Sequence, residues 1–425
     1  MRIVSPISQP FPSQRAHDNW VMQSGHALAR SGHDVLLLVG KKGGYQADAL
    51  LTHYGLTPYA HFQVRQLPFF QWEGRLRVSW RGLFNGCLLW TLYRLAKTQT
   101  IDWLLLSDLP TARFVLRYKR LLSLPIVYEC HELRALEMKQ GDSAVHPQEQ
   151  HLFQQVDAII TTTQMLAEAI QRIYRVTAPM AVIPLATHTQ PLPIPPILKG
   201  PKGAGHPVRV CYIGQLYPLQ GVDILIRAMG QVKNASLTVI GGSAGDSDSL
   251  RQHAVQAAVA DRVRFHGFVP PAAVPHLAGD ADMLVMPARN QGRMPYVAHT
   301  KLYEYLGLGK PIIASDLPSV REVLRHGENA LLVEPENIDA LAEAITRIAT
   351  DRQLASRLAA QARRDVADYS WEKHSALVTT FLQRVQGCGL PPPILTFPLQ
   401  GGRVRKNFPL GGGKGHRLLA QGFTA

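Results

Sequence analysis

The sequence predicts an α/β protein with two domains, each built on a parallel β-sheet covered by helices. Short apolar runs alternate with longer amphipathic segments along most of the chain, which is the pattern of such sheets. A segment rich in proline and glycine interrupts this pattern near the middle. The chain has 425 residues and 46% hydrophobic composition, more than one such domain needs. We predict domains over residues 1–186 and 208–370, joined by a linker over 187–207.

The first half contains six strand candidates. A helix predicted over "QRAHDNWVMQSGHALARSGH", closed by Gly32, connects the first two and makes one β–α–β unit. The strand candidates in chain order are "RIVSP", "DVLLLV", "VRQLP", "DWLLLS", "PIVYEC" and "DAIITT".

The linker "THTQPLPIPPILKGPKGAGHP" is too rich in proline to form a helix or an interior strand. After it the alternation resumes, with helical segments such as "IDALAEAITRIATD", so a second sheet domain follows. Its strand candidates are "VRVCYIG", "SLTVIGG", "VRFHGFV", "ADMLVMP", "PIIASD" and "NALLVEP".

The C-terminal end differs in composition from both domains. We predict a helix over residues 371–385 that packs back on the N-terminal domain, and a disordered basic tail over 386–425. The tail holds the imperfect repeat "FPLQGG" and "FPLGGG" and no acidic residue. The alternative is a basic tether to a membrane or a partner.

Composition excludes several classes of protein. The four cysteines form no Cys-x-x-Cys pair, which argues against a zinc ribbon and against a secreted disulfide scaffold. The N-terminus lacks the regions of a signal peptide, and the charge-free stretch Gly82–Tyr93 is shorter than the roughly 20 residues that cross a bilayer. We therefore expect a cytoplasmic protein without a transmembrane helix. The cysteines are Cys87, Cys130, Cys211 and Cys388.

The net charge of +14 is concentrated partly in residues 61–120, where arginines alternate with aromatic residues. There "TARFVLRYKR" is expected to place Arg113, Arg117 and Arg120 on one helical face. Such a face suits peripheral association with an anionic membrane, and a solvated helix face is the other interpretation. Nucleic acid is not expected as a partner, because no nucleic-acid-binding module accompanies the charge.

Four loops of the second domain follow strands, where ligands of parallel sheets bind. They are "GQLYPLQG", "GGSAGD", "HGFVPP" and "PARNQGRMPYVAHTKLYEYLGLGKP". The first connects a strand to a helix through Gly214 and Gly221, which is a common arrangement at a phosphate site. However, the loop contains Gln215 and Gln220 and no cation.

The fourth loop and its helix carry a resemblance to a known family. The segment "KLYEYLGLGKPIIASDLP" resembles the donor domain of glycosyltransferase family 4, in which "K-L-[FY]-E-Y" leads into "G-[KR]-P-I-[IV]-A-S-D-L-P". The preceding "YIGQLYPLQGVDILIRAM", "LTVIGG", "VRFHGFVP" and "ADMLVMPA" match in order and spacing. The resemblance covers residues 208–385 strongly, and is weaker over 1–185, in "ALARSGHDVLLL" and "VYECHEL".

The resemblance implies a GT-B architecture, in which two Rossmann-like domains face an interdomain cleft. The implied activity moves a sugar from a nucleotide diphosphate to a glycan, a lipid-linked acceptor or a small molecule, with retention of anomeric configuration. Retention in the family is assigned to front-face attack assisted by the leaving diphosphate, so Glu129 and Glu132, which flank His131, are not required as nucleophiles. No cofactor and no metal are implied.

The resemblance also assigns roles to residues. Glu304 corresponds to the glutamate that accepts hydrogen bonds from the donor ribose, and its two oxygens suit a diol. His131 corresponds to the histidine that approaches the transferred sugar from the N-terminal domain, so His131 and Glu304 are the candidate catalytic residues. The segment around Phe268 corresponds to the nucleobase loop. The candidate donor-binding residues are Gly214, Gln215, Gln220, Gly221, Gly241, Gly267, Phe268, Val269, Thr300, Lys301, Leu302 and Glu304.

The sequence departs from the family pattern at three positions. Gln215 and Gln220 stand where the family has an arginine and a lysine for the donor diphosphate, and Tyr296 stands where a second carboxylate is common. Loss of both cations removes charge stabilisation of the leaving group. We predict that at least one of the nearby cations, Lys301, Arg289 or Arg293, contacts the diphosphate instead.

Two other functions stay open from the sequence. A degenerate family member would hold a nucleotide sugar or a partner without turnover, and the two glutamines favour it. A nucleotide-sugar epimerase of the same architecture fits the motifs less well. Three lookalike motifs are discounted: "DSD" at 246–248 and "DAD" at 280–282 are interpreted as helix-end residues, and "GPKGAG" in the linker lacks the flanking strand and helix of a dinucleotide site.

Overall fold

The structure is a computed structural model that describes residues 1–13, 16–43, 46–69, 71–72, 78–79, 81–137, 145–189, 207–270, 273–387 and 394–396. The N-terminal half and the C-terminal end contribute ten strands: β1 Arg2–Phe11, β2 Asp34–Lys41, β3 Phe62–Leu67, β4 Gln71–Trp72, β5 Val78–Ser79, β6 Trp103–Leu106, β7 Ile126–Cys130, β8 Ala158–Thr161, β9 Met180–Val182 and, from the end of the chain, β16 Ile394–Thr396.

The helices of the N-terminal half alternate with these strands. They are α1 Ala16–Arg30, α2 Ala47–His53, α3 Arg81–Thr98, α4 Leu109–Leu116, α5 Lys119–Leu122, α6 Pro147–Gln155 and α7 Gln164–Tyr174. The larger sheet is parallel and has the order β16-β9-β8-β7-β6-β1-β2-β3, while β4 and β5 form a separate antiparallel pair.

The second half forms a six-stranded parallel sheet with the order β12-β11-β10-β13-β14-β15. Its strands are β10 Val208–Ile213, β11 Ala235–Ile240, β12 Val263–Gly267, β13 Met283–Met286, β14 Ile312–Ser315 and β15 Leu331–Val333. Its helices are α8 Val222–Gln231, α9 Ala244–Gln256, α10 Val274–Gly279, α11 Thr300–Leu308, α12 Ile338–Thr350 and α13 Arg352–Asp365, and α14 Trp371–Gly387 follows.

The predicted fold class is confirmed, because each half is a parallel sheet covered by helices and all twelve strand candidates are strands. The central strands are buried on both faces: every residue of β6, β7, β8, β13 and β14 is buried. The strand order of the second sheet reverses between β10 and β13. Open parallel sheets bind ligands at such a switch point, at the carboxyl ends of the strands.

The C-terminal helix α14 returns to the N-terminal domain and packs against α1. Ser375 and Ser31 share a hydrogen bond of 2.7 Å between their hydroxyl groups, and Thr379 Oγ1 lies 2.6 Å from Nε2 of His33. The chain therefore passes between the two domains twice, once through the linker, of which residues 190–206 lie outside the described part of the chain, and once before α14.

Two local predictions need correction. Arg113 lies in α4, Arg117 caps that helix, and Arg120 lies in the separate helix α5, so the three do not share one continuous helical face. In the predicted disordered tail, Ile394–Thr396 pairs in parallel with Met180–Val182 as an edge strand, because the exposed edge of β9 offers unpaired backbone groups. Residues 386 and 387 belong to α14, and the remainder of the tail, 388–393 and 397–425 with its basic residues, lies outside the described residues.

Candidate functional site

Glycines follow three adjacent strands at the carboxyl edge of the second sheet. Gly214 follows β10, Gly241 follows β11 and Gly267 ends β12. A Cβ atom on Gly241, whose φ is +115°, would lie 2.2 Å from the carbonyl oxygen of Gly214, so this position excludes other residues. The three loops therefore present backbone at close range, as binding of a phosphate or a nucleoside requires.

The loop after β10 is held against the end of β13. Gly221 has a φ of +68°, and a Cβ atom there would lie 1.9 Å from the carbonyl oxygen of Pro287. Helix α8 starts at the next residue. The loop that contains Gln215 and Gln220 is thus fixed at the switch point between β10 and β13.

Lys301 brings a positive charge to this loop. Its side chain is buried and runs beside Gly214, and its ammonium group lies 4.4 Å from the ring centre of Tyr212. Nζ donates to the Tyr212 hydroxyl at 2.8 Å and to Oε1 of Gln220 at 2.5 Å. The Tyr212 hydroxyl in turn donates to the carbonyl oxygen of Gln215 at 2.5 Å. Gln220 does not supply a charge, but it orients the lysine that does.

The ammonium group of Lys301 has no counter-ion in the part of the chain that the structure describes. Among the described residues no carboxylate lies within ion-pair distance of it, and its hydrogen-bond partners are neutral. Burial lowers the pKa of Lys301 to about 7, although Glu304 acts in the opposite direction. An anion bound beside Gly214 would restore the charge, so the group is suited to receive one.

Glu304 lies one turn after Lys301, on the same face of α11. Its side chain is accessible to solvent, yet surrounding protein raises the pKa of its carboxyl group to about 7, against the influence of Lys301. The pair thus offers a donor for an anion and an acceptor for hydroxyl groups on one helix face.

Arg289 supports the loop from outside. Its guanidinium group forms ion pairs with Asp223 at 2.6 Å and with Glu336 at 2.8 Å, and it donates to the carbonyl oxygen of Pro218 at 3.0 Å. Its positive charge is therefore compensated within the protein. The contacts fix the loop to α8.

Arg293 faces the N-terminal domain. It pairs with Glu132 at 3.2 Å and also with Glu137, both of which follow β7. The arginine thus connects the domains across the cleft. Of the three candidate cations, Lys301 is the one whose charge is not compensated by a carboxylate in the described structure.

His131 directly follows β7 and contacts Glu129. Nε2 of His131 lies 3.5 Å from Oε1 of the buried Glu129, which also accepts a hydrogen bond of 3.0 Å from the indole of Trp20. Burial alone would raise the pKa of Glu129, but His131 and Trp20 hold it below its usual value. The rings of His17 and Trp20 contact His131 edge-on. The imidazole is thus held against a buried carboxylate.

The other candidate residues contribute in different ways. Phe268 is exposed beyond Gly267, while Val269 is partly buried against the core. Thr300 begins α11, and the N-cap residue His299 makes no side-chain capping hydrogen bond to this helix. The side chain of Leu302 is buried, so Leu302 offers only its backbone to the site.

Sequence reasoning missed Tyr212 and Trp20 of this site, and it missed the role of Glu129. Tyr212 orients Lys301, and Trp20 and Glu129 hold His131. Glu129 lies two residues before His131 in the sequence, but its burial has no local sequence signal. Tyr212 is an ordinary strand residue in the sequence, and its partner lies 89 positions away.

The discounted motifs have structural roles. Asp246 forms a capping box with Ser243 at the start of α9, and Asp282 accepts hydrogen bonds from the backbone and side chain of Arg209. No cluster of metal-ligating side chains occurs in the described part of the chain. The third motif, "GPKGAG", lies outside it.

Two family models match the chain. The model of glycosyl transferases group 1 matches residues 199–365, and that of glycosyltransferase family 4 matches residues 19–190. The first covers the domain with Lys301 and Glu304, and the second most of the domain with His131. Together they match most of the chain.

Curated relatives carry transferase names. A D-inositol 3-phosphate glycosyltransferase of Jonesia denitrificans is 25% identical over 88% of this chain and 92% of its own. A GDP-mannose-dependent alpha-(1-6)-phosphatidylinositol monomannoside mannosyltransferase of Mycobacterium tuberculosis is 29% identical over 42% of this chain. That match spans 47% of the relative, about half its length.

Solved structures share the fold over nearly the whole chain. Sucrose-phosphate synthase of Thermosynechococcus elongatus superimposes with a TM-score of 0.70 at 19% identity, covering 90% of this chain and 98% of the other. HepE of Anabaena in complex with UDP-glucose gives a TM-score of 0.67 at 17% identity, covering 90% and 99%. With both domains matched by family models and the architecture shared, the chain belongs to glycosyltransferase family 4 and has the GT-B fold.

Proposed function

We propose that this glycosyltransferase moves a hexose-type sugar from a nucleoside diphosphate donor to a glycan, lipid-linked or small-molecule acceptor, with retention of anomeric configuration. The observation that carries the proposal is the buried ammonium group of Lys301, which has no ion-pair partner among the described residues and lies at a glycine-lined edge with Glu304 one turn away. A diphosphate joined to a ribose complements this pair of groups.

The donor would lie along the carboxyl edge of the second sheet. Its diphosphate would contact Lys301 and the backbone N–H groups at the start of α11, where the helix dipole also favours an anion. Its ribose hydroxyls would donate to Glu304, and its base would extend past Gly267 toward the exposed ring of Phe268. The names of relatives that use GDP-mannose, and a neighbour crystallised with UDP-glucose, support this donor class.

The contact between Gln220 and Lys301 favours turnover over a degenerate binding function. The two glutamines stand where cations are expected, but one of them orients the lysine beside Gly214. Lys301, on another element of the fold, would therefore supply the charge that the leaving group needs.

Contacts around His131 support front-face attack rather than a protein nucleophile. Glu129 is buried and contacts Trp20 and His131, and Glu132 is paired with Arg293. Both carboxylates adjacent to His131 are thus engaged. The departing diphosphate, held by Lys301, would take the acceptor proton, and His131 would contact the transferred sugar from the opposite domain.

We place the reaction in the cytoplasm, at the inner face of the membrane, where a lipid-linked acceptor would be accessible to the enzyme. A relative named for phosphatidylinositol monomannoside supports a lipid-linked acceptor, whereas one named for D-inositol 3-phosphate supports a small-molecule acceptor. No described helix is long and apolar enough to cross a bilayer. The proposal assigns no resident cofactor, since the nucleotide sugar is a substrate.

A donor panel tests the proposed function. The full chain would be incubated with UDP-, GDP- and ADP-linked hexoses, and free nucleoside diphosphate and donor identity would be followed by chromatography. We expect nucleotide release from at least one donor, lost in Lys301→Met and retained in the control Lys233→Met, whose side chain is exposed. Epimerised donor would support the epimerase function, and binding without release the degenerate one.

A further inference from the structure

Helix α3 of the N-terminal domain has a second apolar face that points to solvent. Its inner stripe, with Phe84 and Leu88, is buried in the domain core. On the opposite face Leu83 is 47% exposed, Trp90 61% and Tyr93 39%. The spacing of seven and three residues places them in one line along the helix. Large apolar side chains with this exposure, aligned on one helix, mark an interaction surface.

Basic side chains accompany this apolar line. The guanidinium group of Arg94 stacks on Trp90 at 4.9 Å from the ring centre, and the ammonium group of Lys97 lies 5.8 Å from that of Tyr93. Helix α3 itself contains no acidic residue. The line from Leu83 to Lys97 extends over about 20 Å of helix.

The neighbouring short helix α5 continues the same chemistry. It contacts α3, exposes 53% of Leu121, and carries the exposed Arg120, with Arg117 just before it. Among the described residues neither arginine forms an ion pair, and the same holds for Arg94 and Lys97. We call the surface formed by Leu83, Trp90, Tyr93, Arg94, Lys97, Arg117, Arg120 and Leu121 the α3–α5 face.

We propose that the α3–α5 face docks on an anionic lipid bilayer. Uncompensated cations complement anionic headgroups, and tryptophan and tyrosine favour the interface between headgroups and acyl chains. The exposed leucines distinguish this partner from a nucleic acid, because a phosphate backbone has no apolar layer to receive them, whereas the acyl boundary of a bilayer does.

The proposal gives the N-terminal domain, which would face the acceptor, an anionic bilayer as its partner. It rests on the proposed function only for the biological purpose of this docking. Lipid binding needs neither donor nor turnover. Failure to bind vesicles would therefore leave the transferase proposal intact, and absence of turnover would leave the docking proposal intact.

The test is sedimentation of the full chain with vesicles of phosphatidylcholine alone or of an equimolar mixture with phosphatidylglycerol. We expect binding to the mixed vesicles that weakens with salt. The double variant Arg94→Gln/Lys97→Gln should bind about 30-fold more weakly, since each basic group near an anionic surface contributes about fivefold. Leu83→Ser/Trp90→Ser should bind more weakly even at low salt.

A matched control exists on the donor domain, where Arg251 stacks on Phe265 at 4.8 Å and Val255 is exposed. The variant Arg251→Gln/Val255→Ser should bind vesicles like the wild type. Equal binding to both vesicle types, or no effect of the α3 variants, would overturn the proposal. So would a change in sedimentation of Leu83→Ser/Trp90→Ser without vesicles, which would show that the face joins two copies of the chain.

Discussion

Replacement of Lys301 by methionine removes the cation assigned to the donor diphosphate while it retains an unbranched side chain of similar length. In the described structure Lys301 donates hydrogen bonds to neutral groups of Tyr212 and Gln220 and forms no ion pair, so its removal breaks no ion pair there. Folding should therefore be preserved, and the loss should appear in donor binding and turnover.

The magnitude follows from the type of contact. A hydrogen bond to a charged group contributes about 1.5–3 kcal/mol, so kcat/KM should fall roughly 10- to 150-fold. Negative charge that develops on the leaving diphosphate adds to the loss, because the site is partly desolvated. The decrease should affect kcat as well as KM.

The pH dependence gives a second readout. Burial lowers the pKa of Lys301 to about 7, so above neutral pH the free protein loses its ammonium charge, and donor binding must take up a proton. Desolvation raises the pKa of Glu304 to about 7, so below neutral pH its carboxylate is lost as a ribose acceptor. The pH profile of kcat/KM should therefore be bell-shaped with a maximum near neutrality. Its acid and alkaline limbs report the coupled titration of Glu304 and Lys301 together.

The assay is nucleotide release measured across the neutral range for wild type, Lys301→Met, Lys301→Arg and the control Lys233→Met. Arginine stays charged, so Lys301→Arg should lose the alkaline limb, while Lys233→Met should match the wild type. A Lys301→Met enzyme as active as the wild type, or an alkaline limb unchanged in Lys301→Arg, would refute the assignment of Lys301.

Two further predictions concern residues around the donor and the transferred sugar. Glu129→Gln keeps the shape of the side chain and an acceptor for Trp20 but removes the negative charge that faces His131. We therefore expect kcat to fall and the pH profile of kcat to shift, while donor affinity stays near the wild-type value. An unchanged pH profile would assign Glu129 a purely structural role. Phe268→Ala should weaken binding of the nucleoside diphosphate by about tenfold through loss of stacking, measured by calorimetry; equal affinities would place the base elsewhere.

The sequence contained enough to predict the architecture and to assign the candidate site to the carboxyl edge of the second sheet. Apolar strands separated by amphipathic helices define a parallel sheet, and loops after those strands lie at one edge, so all four predicted loops indeed follow strands of one sheet. The spacing of three residues between Lys301 and Glu304 fixes both on one helix face, which needs no tertiary information.

The contacts that select Lys301 from the three candidate cations are tertiary. The sequence cannot show that Arg293 pairs with Glu132 across the cleft or that Arg289 is compensated by Asp223, since these partners are brought together by the packing of distant elements. Sequence reasoning missed the break between α4 and α5, and it also missed the edge strand β16. Both segments have a weak local propensity for their secondary structure, so contacts with neighbouring elements decide it.

The central claim is a retaining transfer from a nucleotide sugar held by Lys301 and Glu304. Proton NMR of the sugar released from the preferred α-linked donor, recorded before the free sugar equilibrates between anomers, tests it most directly. We predict that the α-anomer appears first, that it appears together with the nucleoside diphosphate, and that Lys301→Met suppresses both signals. First appearance of the β-anomer, or sugar release that does not depend on Lys301, would contradict the account.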